Sequence, residues 1–233
     1  MNKILLSSED ELNNLVIEED TDLIIRFNNT SKKVNIIVED NVCLNVVELS
    51  KDNKNEIQFV LKENSRLIYN RAVKDSNDYI SVMLNGNSSS AVINNSVNNN
   101  IEAAVKLDII HNNINTYSEL HNHAINNSNE GFLFFVNAII NSSGIDSITK
   151  QENKIINTKK GKSNIYPNLL VDIDRVDASH SAYISDLDKE SLFYMKSRGL
   201  SEKQARVLLM EAFLLGNLNI QEDYIDEVKQ IMF

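Results

Sequence analysis

The chain has few of the residues that mark several familiar protein classes. Of its 233 residues, one is cysteine (Cys43), one is proline (Pro167), six are glycine and none is tryptophan. A single thiol excludes a disulfide framework and any all-cysteine zinc or iron–sulfur site formed within one chain. Basic residues number 23 and acidic residues 33, and the resulting net charge of −10 argues against binding to a nucleic-acid phosphate backbone.

Long apolar runs are also missing. The longest, such as residues 132–136, are far too short to span a bilayer. The first 20 residues contain no basic-then-apolar stretch with a small-residue cleavage site, so the sequence shows no signal peptide. With 42% hydrophobic and 24% charged residues the composition is ordinary for a globular protein. We therefore expect an ordered cytoplasmic protein that does not bind membranes.

The first part of the chain, up to about Ser185, predicts a succession of short strands. Apolar runs recur there every ten or so residues, and each is bounded by the turn formers Asn, Ser, Asp or Gly. Many runs alternate between apolar and polar residues, which indicates strands with one buried side. The predicted strands are residues 23–27, 34–38, 42–49, 57–61, 67–73, 79–84, 91–93, 103–110, 131–140 and 168–173.

Asparagine supplies most of the predicted turns, because its short polar side chain tolerates the left-handed backbone conformation. A weak repeat accompanies these turns: residues 38–44 (VEDNVCL) are echoed by residues 61–67 (LKENSRL). Repetition of a strand–turn–strand unit favours a solenoid of stacked coils. A β-sandwich with Greek-key connections has nearly the same strand spacing, and the periodicity alone leaves both architectures open.

After Ser185 the pattern becomes helical, which predicts two domains, a β core over residues 1–185 and a helical domain over residues 186–233. Residues 188–198 predict the first helix, and Gly199 stands where a left-handed cap would fall.

Ser201 followed three residues later by Gln204 predicts a capping box that opens the second helix. This helix stops near Gly216, and a third is predicted over residues 220–232. The second helix has an apolar stripe that we expect to be buried, consisting of Ala205, Leu208, Leu209, Ala212 and Phe213.

A long segment near the end of the β region resembles the SufB/SufD family. Residues 167–182 (PNLLVDIDRVDASHSA) are similar to a family segment in which a Pro-x-Leu strand precedes an acidic turn, a strand and Ser-His-Gly-Ala. The resemblance continues over residues 187–213, where the family's Leu-Phe-Tyr-x-x-x-Arg-Gly and Glu-x-x-Ala-Arg-x-Leu-Leu are nearly complete. Residues 63–67 and 151–153 also resemble family landmarks. The resemblance covers roughly the last three quarters of the chain, which looks like a short form without the N-terminal helical region of many relatives.

The resemblance implies a mainly β fold, a right-handed β-helix followed by a small C-terminal α-helical domain. It also implies a non-enzymatic scaffold or partner subunit in iron–sulfur cluster assembly. Such a subunit would pair through its β-helix with its own copy or with a SufB/SufD-like paralogue. It would bind a SufC-like ABC ATPase through its C-terminal helices. No cofactor would be held stably, although a transient iron–sulfur cluster would form at the subunit interface.

His180 is the first candidate site residue. It aligns with the histidine of the family's Ser-His motif, which resembles a SufD position near the interface where a nascent cluster forms. An imidazole suits iron, and two subunits can complete a ligand set that one subunit cannot. The resemblance thus implies that His180 is an iron or cluster ligand. The alternative is that His180 only packs or hydrogen-bonds at a strand end.

Three other residues carry groups that bind metals. His121 and His123 are two residues apart and share one face of a strand with Glu119, which fits a metal site, a general acid/base group, or an ordered turn or solvent-exposed face. Cys43 lies in an alternating strand and is interpreted as a small buried hydrophobe. Cluster-building family members have an essential cysteine late in the β-helix, whereas residues 177–180 here contain no thiol. The role is therefore expected to be SufD-like or divergent.

The tail helices are the second candidate site. A helix pair of this kind could enter a groove of an ATPase and respond to its nucleotide-driven closure. The resemblance implies a partner-binding set consisting of Phe193, Tyr194, Arg198, Arg206, Glu211 and Phe213. The alternative is that these helices only pack against the end of the β-helix.

Motifs of catalysis are missing from the sequence. It has no Gly-x-Ser-x-Gly elbow, Walker A loop, dinucleotide fingerprint or His-Glu-x-x-His. We therefore expect no enzymatic activity, and ATP hydrolysis is left to the partner. Two alternatives stay open. One is a carbohydrate-active β-helix enzyme, which an aromatic content of 6% supports little. The other is a structural homodimer without cluster chemistry.

Overall fold

The computed structural model describes residues 2–10 and 14–233, and in these residues the chain winds into stacked turns of two strands each. The strands β1 to β15 are, in order, Asn2–Ser7, Asn14–Ile17, Thr21–Arg26, Lys33–Val38, Cys43–Lys51, Glu56–Leu61, Arg66–Lys74, Tyr79–Leu84, Ser90–Asn99, Ala103–His111, Tyr117–Asn126, Phe132–Ile140, Ser147–Asn157, Ser163–Val171 and Val176–Asp186.

The strands form two parallel sheets that face each other across the core. The odd-numbered strands make an eight-stranded sheet in the order β1-β3-β5-β7-β9-β11-β13-β15, and the even-numbered strands make a seven-stranded sheet. Every strand pair among the described residues is parallel, so each strand hydrogen-bonds to the strand one turn later. The predicted β-helix is confirmed as a parallel-sheet solenoid, and a β-sandwich is excluded.

The weak sequence repeat corresponds to one turn of this solenoid. Leu44 stacks on Leu67, 23 residues later. Left-handed corners recur at the same place in successive turns, and the backbone N–H of each corner residue donates to a carbonyl of the next turn. The corner residues are Asn41, Asn64, Ser88, Asn115 and Asp146. Asparagine therefore forms several of these turns, as the sequence predicts.

Apolar side chains from both sheets fill the interior. Phe59, Phe132 and Phe134 are fully buried there, and aliphatic residues of the facing strands surround them. Burial of each such side chain stabilises the fold by about 1.5–3 kcal/mol. Because successive side chains of a strand point to opposite faces of the sheet, each strand contributes one inward-facing row to this core, and each turn of two strands contributes two.

A column of polar side chains also runs through the interior, at one register position of the odd sheet. Arg71 donates to Glu48 at 2.9 Å and to Asn95 at 3.1 Å, and it also pairs with Asp78. Burial by itself would lower the pKa of Arg71, but the two carboxylates outweigh burial and raise it. Amide-to-amide bonds then join Asn95, Asn122 and Asn153, the asparagine ladder. Most polar groups of this column thus find partners in the neighbouring turns, although Glu48 Oε1 has none among the described residues.

Three α-helices follow the solenoid: α1 (Lys189–Ser197), α2 (Glu202–Leu215) and α3 (Ile225–Met232), with a 3₁₀ turn at Glu222–Tyr224. The side chain of Asp188 caps α1, and Gly199 takes the left-handed conformation with φ of 93°. Ser201 and Gln204 form the predicted capping box of α2. The predicted start of the third helix at residue 220 is wrong, because residues up to 224 form an extended segment and the 3₁₀ turn.

The predicted burial of the α2 stripe is wrong in part. Leu208 is 42% exposed and Ala212 is also exposed, whereas Ala205 and Leu214 are fully buried. The reason is that α2 lies on the outer face of the odd sheet, against β9 and β11, and only one side of the helix faces the strands.

His111, at the end of β10, is fully buried in a cluster of hydroxyl groups. Its Nδ1 lies 2.7 Å from the Thr116 hydroxyl and its Nε2 lies 2.9 Å from the Ser118 hydroxyl. Burial lowers the pKa of His111 to about 4. The imidazole is therefore neutral in the folded protein at neutral pH.

We expect His111 to make the fold sensitive to acid. Between pH 6.5 and about 4 the unfolded chain binds a proton at His111, whereas the folded chain does not. The contribution of neutral His111 to the free energy of unfolding is therefore fully present above pH 6.5 and falls as the pH decreases. The loss is about 3 kcal/mol of unfolding free energy. Urea unfolding of wild type and of His111→Gln at pH 7 and pH 4.5 measures it. The same pH dependence in both proteins would contradict the expectation.

Candidate functional site

The last turn of the solenoid, formed by β14 and β15, is the most exposed part of the β region. These two strands end their sheets, so within the described residues each has one edge without a neighbouring strand. Side chains on both strands that would continue the core or the outer face lie in solvent, and Tyr183 is 61% exposed. The large apolar residues exposed here are Tyr166, Leu170, Val171, Tyr183 and Ile184.

Charged residues, which usually protect sheet edges, are almost missing from this turn. Residues 163–171 of β14 contain none, and in β15 only Asp177 and Asp186, near its ends, are charged. Natural proteins protect exposed edges with charges, bulges or covering segments, because an open edge pairs with other strands. We refer to β14 and β15 together as the terminal turn. Its exposed surface is apolar and nearly uncharged.

His180 lies in the middle of β15. It is in register with Gln151 of β13, whose side chain is buried in the interior, so the imidazole is on the face that points inward in earlier turns. Because no further turn covers it, His180 is exposed. Its ring has no hydrogen-bond or ionic partner in the described part of the chain. The structure thus presents an imidazole at the open end of the solenoid.

The described residues of one chain do not form a complete metal site. Among residues 2–10 and 14–233, no three His, Cys, Asp or Glu side chains lie close enough together to hold a metal ion. Cys43 is on β5, five strand spacings from β15, or roughly 24 Å. It is half-buried, less than the sequence interpretation expected, and burial raises the pKa of its thiol. Cys43 and His180 therefore do not meet within one chain.

His121 and His123 share the outer face of β11, as the sequence predicts for a strand, but they have separate partners. His121 Nε2 lies 3.2 Å from Glu119. His123 stacks on Phe213 of α2, with 4.5 Å between ring centroids, and its Nδ1 lies 3.0 Å from the Phe213 carbonyl oxygen. Burial lowers the pKa of His123. His123 therefore joins the solenoid to the tail.

The tail is held on the outer face of the odd sheet by an apolar cluster and by polar side chains. Leu214, Val228 and Met232 pack against the exterior residues Leu49, Ala72 and Ile125. The polar contacts bind the tail backbone to the sheet: Ser96 donates to the Leu214 carbonyl oxygen at 2.8 Å, Asn98 donates to that of Met232 at 2.5 Å, and the Asn219 N–H donates to Asn70 at 2.8 Å. Nothing in the sequence marked these contacts, since they join residues more than 100 positions apart.

In contrast, α1 extends from this interface and packs chiefly against α2. Phe193 is 76% exposed, Tyr194 is 59% exposed, and the Arg198 guanidinium lies over the Tyr194 ring at 5.3 Å. Arg206 of α2 pairs with Glu202 at 3.2 Å.

The six residues of the predicted partner-binding set thus fall into two groups. Phe193, Tyr194 and Arg198 form an exposed patch on α1, the α1 patch. Arg206 and Glu211 lie half-buried on the neighbouring helix α2. Phe213 is separate, because it packs on His123 of the solenoid. In the described residues no helix has both the length and the apolar character needed to cross a bilayer.

The fold class is a parallel β-solenoid with an open, histidine-bearing end and a docked helical tail. Residues 1–213 match the family model described as "SUF system FeS cluster assembly, SufBD core domain". The chain belongs to this family. The match begins further upstream than the sequence resemblance, which covered roughly the last three quarters. Family membership supports a role in iron–sulfur cluster assembly.

Curated relatives match shorter segments. A SufBD family iron–sulfur cluster assembly protein of Pyrococcus horikoshii is 36% identical over 74 residues, 31% of this chain and 17% of the relative. One from Synechocystis is 41% identical over 59 residues, 25% of this chain and 13% of the relative. The iron–sulfur cluster assembly protein SufD of Bacillus subtilis is 32% identical over 71 residues, 30% of this chain and 16% of the relative. Each match therefore covers less than a fifth of the relative's length.

Asn217, between α2 and α3, provides a test of the tail interface. Its amide donates to the carbonyl oxygens of Asn95 and His121, both at 3.1 Å. We expect Asn217→Leu to remove both hydrogen bonds, each worth about 0.5–1.5 kcal/mol, and so to lower the free energy of tail undocking by about 1–3 kcal/mol. Hydrogen exchange of α2 and α3 amides would then accelerate about tenfold or more, without change in β12.

Asn219→Leu is the matched control, because Asn219 contacts the sheet through its backbone N–H and has an exposed side chain. Equal acceleration in both variants would show that the amide of Asn217 does not hold the tail.

Proposed function

We propose that this chain is a non-enzymatic scaffold or partner subunit of cytoplasmic iron–sulfur cluster assembly. It pairs through the terminal turn of its solenoid and binds a SufC-like ABC ATPase through its tail helices. The observation that supports this most is the open, nearly uncharged edge of β14 and β15 with His180 exposed on it. The family match and the names of the relatives agree with the same role.

The terminal turn suits pairing with a second solenoid subunit. A strand of that subunit would satisfy the free N–H and C=O groups by extending each sheet. If β15 paired antiparallel with its own copy about Ser181, Asp177 would face Ser185 and Asp186 would face Val176. No like charges would then oppose each other across the pair. The proposed partner is a second copy of the chain or a SufB/SufD-like paralogue.

Pairing of this kind would complete a ligand set around His180. A neutral imidazole supplies one nitrogen lone pair to iron, and it needs thiolates or further imidazoles from elsewhere to hold a cluster. Because β15 would lie at the interface, the second subunit could supply them. The iron and sulfide are cargo in this proposal, held transiently at the interface. The lack of a late cysteine supports a SufD-like role.

The α1 patch suits docking of the ATPase. Large aromatic side chains next to an arginine are typical of residues that dominate binding at protein interfaces. On α2, Arg206 and Glu211 lie beside this patch and supply polar contacts at its rim. Since α2 is joined to the sheet through Phe213 and His123, a force applied at α1 would reach the solenoid. Nucleotide-driven closure of the ATPase would act on the paired subunits through this connection.

The ATPase proposal predicts that Phe193 and Tyr194 are needed for binding. We expect the double variant Phe193→Ala/Tyr194→Ala to weaken binding to a SufC-like ATPase at least about tenfold, because both rings lose their contacts. Isothermal titration calorimetry measures the Kd. Phe233→Ala, which removes a ring 37% exposed at the end of α3, is the control. Unchanged affinity in the double variant would count against docking at α1.

The pairing proposal predicts that one charge on β15 prevents assembly. We expect Ile184→Asp to convert the paired protein to monomers, because the carboxylate would be buried without a partner. Light scattering after size-exclusion chromatography measures the mass, for the chain alone and mixed with its paralogue. Val16→Asp is the matched control, since Val16 is 48% exposed at the opposite end of the solenoid. Assemblies that persist in Ile184→Asp but dissociate in Val16→Asp would place the interface at the other end.

A further inference from the structure

Gln151 has an unpaired polar atom directly below the exposed end of the solenoid. Its side chain, on the inner face of β13, is 4% exposed. The amide nitrogen donates to the Asn168 carbonyl oxygen of β14 through a long bond of 3.5 Å, whereas Oε1 has no partner among the described residues. A buried carbonyl oxygen without a donor has lost its hydrogen bonds to water without replacement, which is unfavourable. Gln151 Oε1 is therefore free to accept a hydrogen bond from a neighbouring donor.

The nearest position in register that can supply a donor is His180. Gln151 pairs with His180 across the parallel strands β13 and β15, so both side chains project from the same face, one strand spacing apart. The bond to Asn168 directs the Gln151 amide toward the other strand of the terminal turn. The carboxamide thus lies in the floor of the open end, next to the residue whose imidazole is exposed there.

A neutral imidazole has one N–H and one nitrogen with a free lone pair, and only the latter binds a metal. Histidines that bind metals nearly always donate their other ring N–H to a fixed acceptor, which sets the tautomer and the ring orientation. Gln151 Oε1 is an acceptor of this kind, neutral and buried. It selects the tautomer without adding a negative charge to the interface.

We propose that Gln151 is the positioning residue of His180: its Oε1 accepts a hydrogen bond from one ring N–H of His180, so that the other ring nitrogen faces the paired subunit as the iron ligand. The proposal rests on the iron-binding role proposed for His180 above. The tautomer itself can be measured without any metal.

Nitrogen-15 NMR of the imidazole rings in the full chain tests the first part. The His180 signals are identified by their loss in His180→Ala. We expect one dominant tautomer in wild type, a mixture of both in Gln151→Leu, and recovery of the single tautomer in Gln151→Glu, which restores an acceptor oxygen. Thr149→Val, on the same inner face but in register with Ala178, is the control and is expected to match wild type.

The second part is measured as the affinity of the paired protein for Fe²⁺ alone under anaerobic conditions. We expect Gln151→Leu to weaken it about tenfold, as removal of a supporting hydrogen bond does at other metal sites. An unchanged tautomer in Gln151→Leu, or the same change in Thr149→Val, would overturn the positioning role. Equal Fe²⁺ affinity of wild type and His180→Ala would instead overturn the iron-binding role of His180, whatever the tautomer shows.

Discussion

Hydrogen bonding between successive turns is the constraint on which the rest of this structure depends. In a parallel solenoid each strand satisfies its N–H and C=O groups only through the strands one turn before and one turn after. The arrangement repeats until the chain leaves the solenoid after β15, so the last turn has no successor among the described residues. The exposed edge of β14 and β15 is therefore a direct consequence of the fold, and its lack of charge is what makes it suited to pairing.

The same stacking also explains where polar groups can be buried. Side chains at equal positions in successive turns lie one strand spacing apart, so amides can bond to amides along the solenoid, as in the asparagine ladder. Gln151 breaks this pattern with an unpaired oxygen beneath His180, and the proposed positioning role follows from that break. The outer face obeys a different rule, since helices α2 and α3 cover its apolar residues and leave α1 free.

Much of the fold could be predicted from local patterns. The offset of 23 residues between the two similar segments is the length of one turn, and both the left-handed Gly199 after α1 and the capping box of Ser201 and Gln204 stand where the sequence predicts them. The predictions of where the third helix starts and of whether Leu208 is buried were wrong. Both features depend on how the tail packs against the sheet. Of the candidate site, His180 could be found by resemblance, whereas the separation of Phe213 from the α1 patch could not.

By itself the sequence determined the repeat, the turns, the helix caps and the family resemblance, because each of these is written in residues close together along the chain. Only the tertiary structure decided which strands are left without a neighbour, which imidazole is exposed and which amide is unpaired. Those properties depend on contacts between residues one turn apart or more than 100 positions apart. Local sequence patterns do not reveal such contacts, because the residues are far apart along the chain and become neighbours only when the turns stack.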